Sequence, residues 1–258
     1  MNAFTKIVAT VLAAGSFAFL SSGPVAADEL ATIKEKGVMR IAMSGAYPPF
    51  NFVNEQNEVV GFDAAIGTEI AKRMGLEAEI VTTAWDGIIG GLLANKFDAI
   101  VGSMSITEER LKVVDFVGPY YTTKRAVFTK AGSPITSVSQ LKDATVGVTL
   151  GETHEQWARE QGYTVKTYKG LPELLLEIEN GRVDAIIADS VAVILAAKES
   201  GRDLVALSDL ETEAVGAGIA IRKDNPELAK AMQEALDAMQ ADGTYVEIAN
   251  EWVGGDIR

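Results

Sequence analysis

Residues 98–121 contain the parts of a receptor for a small anion. An apolar strand is predicted over residues 99–101, and small hydroxyl residues follow it before a helix start that carries Arg110 on its first turn. Small residues let backbone N–H groups approach a ligand closely, and helix N-termini favour anions. A guanidinium can grip a carboxylate with two parallel hydrogen bonds. The segment therefore predicts a receptor for a small ligand that carries an acid group.

A weak internal repeat places a second charged side chain at an equivalent point. Residues 95–103 (NKFDAIVGS) resemble residues 180–190 (NGRVDAIIADS), and each stretch follows an amphipathic helix and runs into a strand. Ligands of open α/β sheets collect at the carboxyl ends of strands. Two similar lobes would thus face one another across a cleft, unless the repeat is a chance similarity between common helix–turn–strand units.

Predicted strands and helices alternate along the chain, which is typical of α/β layers. Strands are expected over 38–43 and 78–81, and helices over 61–74 and 86–94. A long helix begins with Pro226 at its first position and ends at Gly243. Its buried stripe is predicted to contain Leu228, Ala231, Met232, Ala235, Leu236 and Met239.

The first 27 residues have the pattern of a cleaved export leader. Lys6 supplies positive charge, residues 7–20 are apolar, and Val25-Ala26-Ala27 forms a small-residue cleavage site. The apolar run is short for a membrane span, although a retained anchor is the alternative. Removing 27 of the 258 residues leaves 231, enough for one large domain or two small ones. No later segment is long and apolar enough to span.

Charge and cysteine content restrict the class of partner. The formal net charge is −13, and it becomes about −14 without Lys6, which disfavours nucleic acid and anionic lipid surfaces. The chain has no cysteine, so it lacks both disulfides and the attachment residue of exported lipoproteins. We therefore expect a freely soluble protein of a bacterial periplasm, without direct membrane insertion. With a single histidine, a multi-histidine metal site is excluded, and neither a metal nor a cofactor is predicted.

Motifs spread over nearly all of residues 28–252 give a more specific indication. In chain order they are Tyr47-Pro-Pro-Phe50, Gly61-Phe-Asp63, Trp85-Asp-Gly-Ile-Ile89, Phe97-Asp-Ala-Ile100, Ser105-Ile-Thr-Glu-Glu-Arg110, Asp115-Phe116, Pro119-Tyr-Tyr121, Val146-Gly-Val148, Asp184-Ala-Ile-Ile-Ala-Asp189 and Asp242-Gly-Thr-Tyr245. The chain thereby resembles the type 3 solute-binding proteins of ABC transporters, in the group that binds polar amino acids.

The resemblance implies an α/β fold of two lobes, joined by two hinge strands, that closes on a ligand like a clamshell. Lobe 1 would comprise residues 28–121 and 221–258, and lobe 2 residues 122–220. The hinges would lie near residues 122–125 and 217–221.

The resemblance also assigns a headgroup receptor. Arg110 would hold the α-carboxylate of an amino acid, although a surface salt bridge to Glu108 or Asp115 is the alternative for its side chain. Asp189 would accept from the α-ammonium, unless it serves only as the N-cap of the next helix. A ligand lacking either charge would leave a buried charge unpaired. Further headgroup contacts are expected from Gly102, Ser103, Ser105 and the backbone N–H of Thr153. For the two serines, capping of the strand end is the alternative role.

Aromatic and unusual residues bear on the choice of side chain. Tyr47 and Trp85 match positions whose rings sandwich the ligand side chain, with core packing as the alternative. Core packing is also the more natural role of Phe50 and Phe52. Glu152 stands where the family usually carries a small or hydroxyl residue, so it would repel acidic ligands and attract cationic ones.

Two further positions leave the ligand open. His154 would contact the ligand or cap the helix that follows it. Ser44 lies in the region where several relatives that bind basic amino acids carry an aspartate, and this weakens the assignment of plain lysine or arginine as the ligand. Either Glu152 takes over the role of that aspartate, or the expected ligand is neutral and polar, cystine-like, or a larger modified amino acid.

The leading hypothesis is a monomeric binding protein that captures a polar amino acid for the membrane permease of an ABC importer, and that is not an enzyme. The alternative is a cyclohexadienyl (prephenate or arogenate) dehydratase on the same scaffold, since those enzymes use a pocket carboxylate as general acid and Glu152 would supply one. A sensory ligand-binding module that acts through a separate partner is a third class.

Overall fold

A computed structural model describes residues 29–210 and 212–258, so the predicted leader over residues 1–27 lies outside the described residues. The fold is mixed α/β, as predicted. The strands are β1 (Val38–Met43), β2 (Ala46–Tyr47), β3 (Asn51–Val53), β4 (Val59–Val60), β5 (Glu77–Thr82), β6 (Ala99–Ser105), β7 (Val114–Thr123), β8 (Arg125–Lys130), β9 (Thr145–Thr149), β10 (Thr164–Tyr168), β11 (Ala185–Asp189), β12 (Leu204–Ala206) and β13 (Val215–Arg222). The helices are α1 (Glu29–Lys36), α2 (Phe62–Arg73), α3 (Ile88–Leu93), α4 (Glu108–Leu111), α5 (Thr153–Glu160), α6 (Leu171–Glu179), α7 (Ser190–Glu199), α8 (Pro226–Ala241) and α9 (Thr244–Val253), with short 3-10 turns at Trp85–Gly87 and Val138–Asp143.

Two five-stranded sheets form the two lobes. The first has the order β5-β1-β6-β13-β7, and the second has the order β10-β9-β11-β8-β12. The two copies of the internal repeat become β6 and β11, each in the middle of its sheet and each parallel to a neighbouring strand. Ser105 and Asp189 therefore end equivalent strands, which is the arrangement that the repeat predicts.

The helices follow the apolar stripes in the sequence. Helix α2 buries Phe62, Ile66 and Ile70, and α8 buries a stripe in which only Ala231 of the predicted set is half-exposed. The helix predicted over 86–94 is instead a 3-10 turn followed by a short α3, because glycines within it weaken helix formation. Phe50 is fully buried, whereas Phe52 is half-buried at the edge of the Trp252 ring.

The chain crosses between the sheets at two adjacent places. One crossing follows Thr123, where β7 ends, and the other precedes Val215, where β13 begins. Thr122 pairs with Gly216 and Thr123 with Val215, so the crossings lie side by side. The predicted second hinge at 217–221 is wrong, because those residues pair with β6 and β7 inside the first sheet. In the structure, lobe 1 comprises residues 29–123 and 215–258, and lobe 2 comprises the described residues between them, 124–210 and 212–214.

The two lobes touch at backbone level. A Cβ added to Gly170 of lobe 2 would lie 2.5 Å from the carbonyl oxygen of Ala46 in lobe 1. Likewise, a Cβ on Gly151 would lie 2.8 Å from the Cα of Asp86. Gly170 has an extended backbone that any residue adopts (φ −176°), whereas Gly151 has φ +79°. The backbone conformation at position 170 does not require glycine. Glycine is required there only because Ala46 of the other lobe lies too close for a side chain.

We predict that Gly170→Ala holds the lobes apart without unfolding either one. The methyl group would collide with Ala46 only in the closed arrangement, so small-angle X-ray scattering should give a larger radius of gyration than for the parent. The free energy of unfolding should fall by no more than about 1 kcal/mol, the difference between glycine and alanine as a helix N-cap. Gly90→Ala is the control, because its methyl meets nothing within 4 Å. An unchanged radius would contradict the prediction.

Candidate functional site

One cavity between the lobes is lined by all ten residues that the sequence singled out. The space that these residues border, open solvent included, is about 420 Å³. Lobe 1 contributes Tyr47, Trp85, Gly102, Ser103, Ser105 and Arg110, and lobe 2 contributes Glu152, Thr153, His154 and Asp189. The lining residues that sequence reasoning did not propose as contacts are Ser44, Ala46, Thr149, Lys169 and Gly170.

Arg110 presents a guanidinium to the cavity without a carboxylate partner in the described part of the chain. The Thr107 hydroxyl caps α4 by accepting from the Arg110 N–H at 3.2 Å, which fixes the backbone there. The side chain donates from Nη1 to the carbonyl of Ser105 at 2.9 Å and lies over the Trp85 ring. Burial lowers the pKa of Arg110, although the negative charges of Glu152 and Asp189 raise it. The alternative of a salt bridge to Glu108 or Asp115 is not what the structure shows, since Asp115 pairs with Lys223.

Ser103 is engaged inside lobe 1. Its N–H donates to the Tyr120 hydroxyl at 2.8 Å, and its hydroxyl donates to Asp63 at 2.8 Å. Its backbone has φ +58°, a left-handed conformation that is uncommon for serine. The expectation that the Ser103 hydroxyl and N–H donate to a headgroup therefore does not fit, because both donors already have partners.

A buried carboxylate below the cavity holds this part of lobe 1 together. Asp63 accepts from the Tyr120 hydroxyl at 2.6 Å, from Ser103, and from the side-chain amide of Asn51 at 2.7 Å. Burial raises the pKa of Asp63 to about 6, although the three hydrogen bonds lower it. Asn51 in turn accepts from the Ser44 hydroxyl, so the network reaches the cavity wall. Sequence reasoning missed this role, and the available signal was an aspartate within the otherwise apolar buried face of α2.

Asp189 faces the cavity instead of capping a helix. It occupies the N-cap position of α7, but its carboxylate makes no capping hydrogen bond, so the capping alternative is wrong. Oδ2 accepts from the Tyr47 hydroxyl of lobe 1 at 2.7 Å, and Oδ1 lies 3.4 Å from Nε2 of His154. Burial pushes the pKa of Asp189 up, but His154 and Tyr47 outweigh it and hold that pKa below its usual value.

His154 is a buried link between Asp189 and a second arginine. Its Nδ1 accepts from Nε of Arg125 at 3.1 Å, so a proton on the ring is placed at Nε2, toward Asp189. Arg125 also lies over the Trp157 ring at 4.9 Å. His154 thus makes contacts other than a helix cap, while its contact with a ligand stays a prediction.

Glu152 contributes a buried carboxyl group to the cavity. Its Oε2 is buried without a hydrogen bond in the described structure, and the same is true of the Thr149 hydroxyl. Burial raises the pKa of Glu152 to about 7, with Asp189 adding to the rise and His154 and Arg110 opposing it. The carboxyl group is therefore close to half-protonated at neutral pH.

Tyr47 and Trp85 both line the cavity and pack against apolar neighbours. Tyr47 is buried beside Phe50, with its hydroxyl directed to lobe 2. Trp85 is half-exposed and lies against Gly102, where an added Cβ would come within 3.6 Å of the ring. Both roles considered for these rings therefore apply, because each ring packs against apolar neighbours and also lines the cavity.

Over residues 29–210 and 212–258, no group of three acidic, histidine or cysteine side chains is placed to hold a metal ion. No helix in that same part of the chain is long and apolar enough to cross a membrane.

Comparisons with known proteins agree on one family. The model of the bacterial extracellular solute-binding proteins, family 3, matches residues 39–255. The L-cystine-binding protein TcyJ of Escherichia coli (strain K12) is 34% identical over 237 residues, covering 90% of this chain and 89% of that protein. ABC transporter arginine-binding protein 1 of the same organism is 34% identical, covering 83% and 90%. The ancestral amino acid-binding protein AncCDT-1, described as a precursor of cyclohexadienyl dehydratase, superposes with a TM-score of 0.80 at 34% identity, covering 87% and 99%.

Removing the Tyr120 hydroxyl should destabilise the protein, because it leaves the buried Ser103 N–H without an acceptor and Asp63 with one donor fewer. We expect Tyr120→Phe to lower the free energy of unfolding by about 1–3 kcal/mol in denaturant titrations. Tyr121→Phe is the matched control, since the neighbouring Tyr121 hydroxyl is buried without a partner among the described residues. Equal losses for the two variants would refute the role of the network.

Stability should fall as the pH rises from 5.5 to 8 in the absence of added ligand. The pKa of Glu152 is about 7 and that of Asp63 about 6, both above their ordinary values, so folding favours the protonated acids and loses this contribution as they ionise. Glu152→Gln should remove about 1–2 kcal/mol of this pH-dependent loss in the free energy of unfolding. Chemical denaturation at both pH values measures it, and an unaltered slope in the variant would count against a buried, titrating Glu152.

Proposed function

Because the chain belongs to family 3 of the bacterial extracellular solute-binding proteins, we propose that it captures a polar α-amino acid and delivers it to the permease of an ABC importer. One observation carries the proposal. Arg110 of lobe 1 and Asp189 of lobe 2 line the same cavity, and Arg110 lacks a carboxylate partner in the described residues. A guanidinium and a carboxylate placed in this way are complementary to the two charges of an amino-acid headgroup.

The headgroup would bind first to lobe 1. Arg110 takes the α-carboxylate, with Ser105 and Gly102 beside it at the end of β6. Lobe 2 then adds the N-terminus of α5, where the first N–H groups, including that of Thr153, lack intrahelical acceptors. Asp189 accepts from the α-ammonium, which joins or displaces the Tyr47 hydroxyl as its donor.

Closure of the lobes is the event that a permease would detect. The adjacent crossings at Thr123 and Val215 allow one lobe to rotate against the other. A ligand shifts this equilibrium only if it binds the closed state more tightly than the open one. The division of the headgroup contacts between Arg110 and Asp189 provides that difference, because the contact with Asp189 is added to the one with Arg110 only when the lobes meet.

The relatives support a polar side chain. Their names give L-cystine and arginine as ligands, in line with a cationic or neutral polar side chain, or a modified amino acid. The protein is a binding protein and not an enzyme. The dehydratase alternative has only an ancestral precursor in its favour, and that precursor is itself described as an amino acid-binding protein.

Two features of the sequence, its first 27 residues and its lack of cysteine, support a periplasmic location. A leader over residues 1–27 would direct export, and the absence of cysteine leaves no residue for a lipid anchor. The proposal is therefore a monomer that works in the periplasm and meets its permease at the membrane surface.

Arg110→Ala should abolish binding of every amino acid that stabilises the parent in a thermal-shift screen. Loss of a charge-assisted bidentate pair costs on the order of 1.5–3 kcal/mol, and an unpaired ligand carboxylate in the cavity adds to that loss. Arg159→Ala is the control, because Arg159 forms an exposed pair with Glu155 on the outer side of α5. Retained affinity in Arg110→Ala would overturn the headgroup assignment, and a screen in which no amino acid stabilises the parent would overturn the proposed function.

A further inference from the structure

Arg125 connects the first crossing between the lobes to helix α5. It opens β8, two positions after β7 ends at Thr123. Its Nε donates to Nδ1 of His154 at 3.1 Å, and its Nη2 donates to the carbonyl oxygen of Thr153 at 3.4 Å. The guanidinium also lies over the Trp157 ring, 4.9 Å from its centre. These contacts fix the side chain against the beginning of α5.

Arg125 is also the cross-strand neighbour of Asp189. The two residues lie directly opposite each other in the antiparallel pair of β8 and β11, where side chains share one face of the sheet and opposite charges attract. Even so, no ion pair joins them in the described part of the chain. His154 lies between them, with its Nε2 3.4 Å from Oδ1 of Asp189. Burial raises the pKa of Asp189, and the charge of Arg125 is one of the weaker effects that lower it.

The intervening ring leaves Asp189 able to accept from a ligand. A carboxylate has about four acceptor positions on its two oxygens, and the Tyr47 hydroxyl and Nε2 of His154 occupy only part of them. Both donors are uncharged when the imidazole is neutral, so the carboxylate keeps its negative charge for an ammonium group. A direct bidentate pair with a guanidinium would engage both oxygens and neutralise that charge.

The neutral state of the ring depends on Arg125. Nδ1 of His154 accepts the Nε–H of Arg125 only while it carries no proton of its own. A second proton on the ring would set two N–H donors face to face and two cations side by side. Among the described residues, no other group donates to Nδ1. Without Arg125, the nearby carboxylates of Asp189 and Glu152 would attract a proton to that nitrogen.

We infer that Arg125 is a positioning residue for Asp189. Its Nε–H occupies the lone pair of Nδ1 on His154, which keeps the imidazole neutral, directs the Nε2 proton to Asp189, and holds the guanidinium one ring away from that carboxylate. The inference rests on the proposed function, in which Asp189 accepts from the α-ammonium of the ligand. It adds a residue that is not among those lining the cavity. The carbonyl of Arg125 accepts from the Thr212 hydroxyl at 3.0 Å, just before the second crossing, so its backbone is held beside both crossings.

Several other charged and titratable groups surround this arrangement. They are Tyr47, Arg110, Tyr121, Glu152, Glu160, Lys169 and Asp189. All of them remain in an Arg125→Met variant. A comparison of that variant with the parent at equal pH therefore isolates the contribution of Arg125.

The proton state of the ring is directly measurable, because His154 is the single histidine of the chain. Long-range proton–nitrogen NMR spectra of tag-free, ligand-free protein at neutral pH should show a proton on Nε2 and none on Nδ1. Arg125→Met keeps the length of the side chain and its packing on Trp157, but a proton should appear on Nδ1 in a large fraction of the molecules. Arg125→Lys retains a charged donor and should keep Nδ1 unprotonated. Arg159→Met is the matched control, because Arg159 is an exposed arginine of α5 that pairs with Glu155.

Calorimetry measures the consequence for binding, with L-arginine and L-cystine as probes because two relatives are named for them. Arg125→Met should weaken binding by about threefold to tenfold, the effect of one hydrogen bond that is no longer well placed. The loss relative to the parent should be larger at pH 6 than at pH 8, because a charged ring competes with the α-ammonium for Asp189. In an Asp189→Asn background, Arg125→Met should cost less than about twofold, since the carboxylate through which it acts is absent.

Two results would overturn the inference and leave amino-acid capture intact: an Nδ1 that stays unprotonated in Arg125→Met, or an undiminished loss of affinity in the Asp189→Asn background. Arg125→Lys behaving like Arg125→Met would also overturn it, because packing of the guanidinium and not its donor would then be responsible. If no amino acid stabilises the parent in the thermal-shift screen, the proposed function fails, whereas the histidine spectra still decide whether Arg125 sets the state of the ring.

Discussion

The rest of the structure depends on one constraint, which is that the charged groups lining the cavity between the two lobes must be paired. Arg110 and Asp189 are carried by different sheets and become neighbours of one cavity only when the lobes meet. Removing charges from water is costly unless each finds a partner. The free energy of closure therefore depends on how well a ligand supplies the charges that pair with these two residues. In this way, recognition of the ligand's charges controls the position of a whole lobe.

A buried hydrogen-bond network in lobe 1 supports the cavity between the lobes. Asp63, Tyr120 and Asn51 hold Ser103 in a left-handed conformation at the end of β6, and none of them needs to touch a ligand. The cost of burying Asp63 is visible in its raised pKa, and three donors offset it. On the other lobe, the hydrogen bond from Arg125 orients His154 toward Asp189 in the same supporting manner. Ser103 and Asp189 are therefore positioned by neighbours that are themselves hydrogen-bonded within the protein.

Much of the site was predictable from the sequence because its residues follow strand ends, and strand ends are local features. The repeat located Ser103 and Asp189, and a helix start located Arg110. What could not be predicted depends on contacts between distant segments, such as the hydrogen bond between Asp63 and Tyr120, which lie 57 positions apart. The second crossing was misplaced for the same reason, since β13 could equally be read as a strand of either lobe until its partners were known.

The position of β13 has a consequence for the order in which the molecule can fold. This strand lies between β6 and β7 in the sheet of lobe 1, yet its partner Ser105 lies more than a hundred residues before Ala217. The first sheet stays open in its middle until the chain has passed through all of lobe 2 and returned. Pairings between such distant segments carry a large loop-closure entropy and form slowly. Lobe 2, whose strands are contiguous in sequence, has no such delay, so the lobe formed by the middle of the chain is able to mature before lobe 1 is complete.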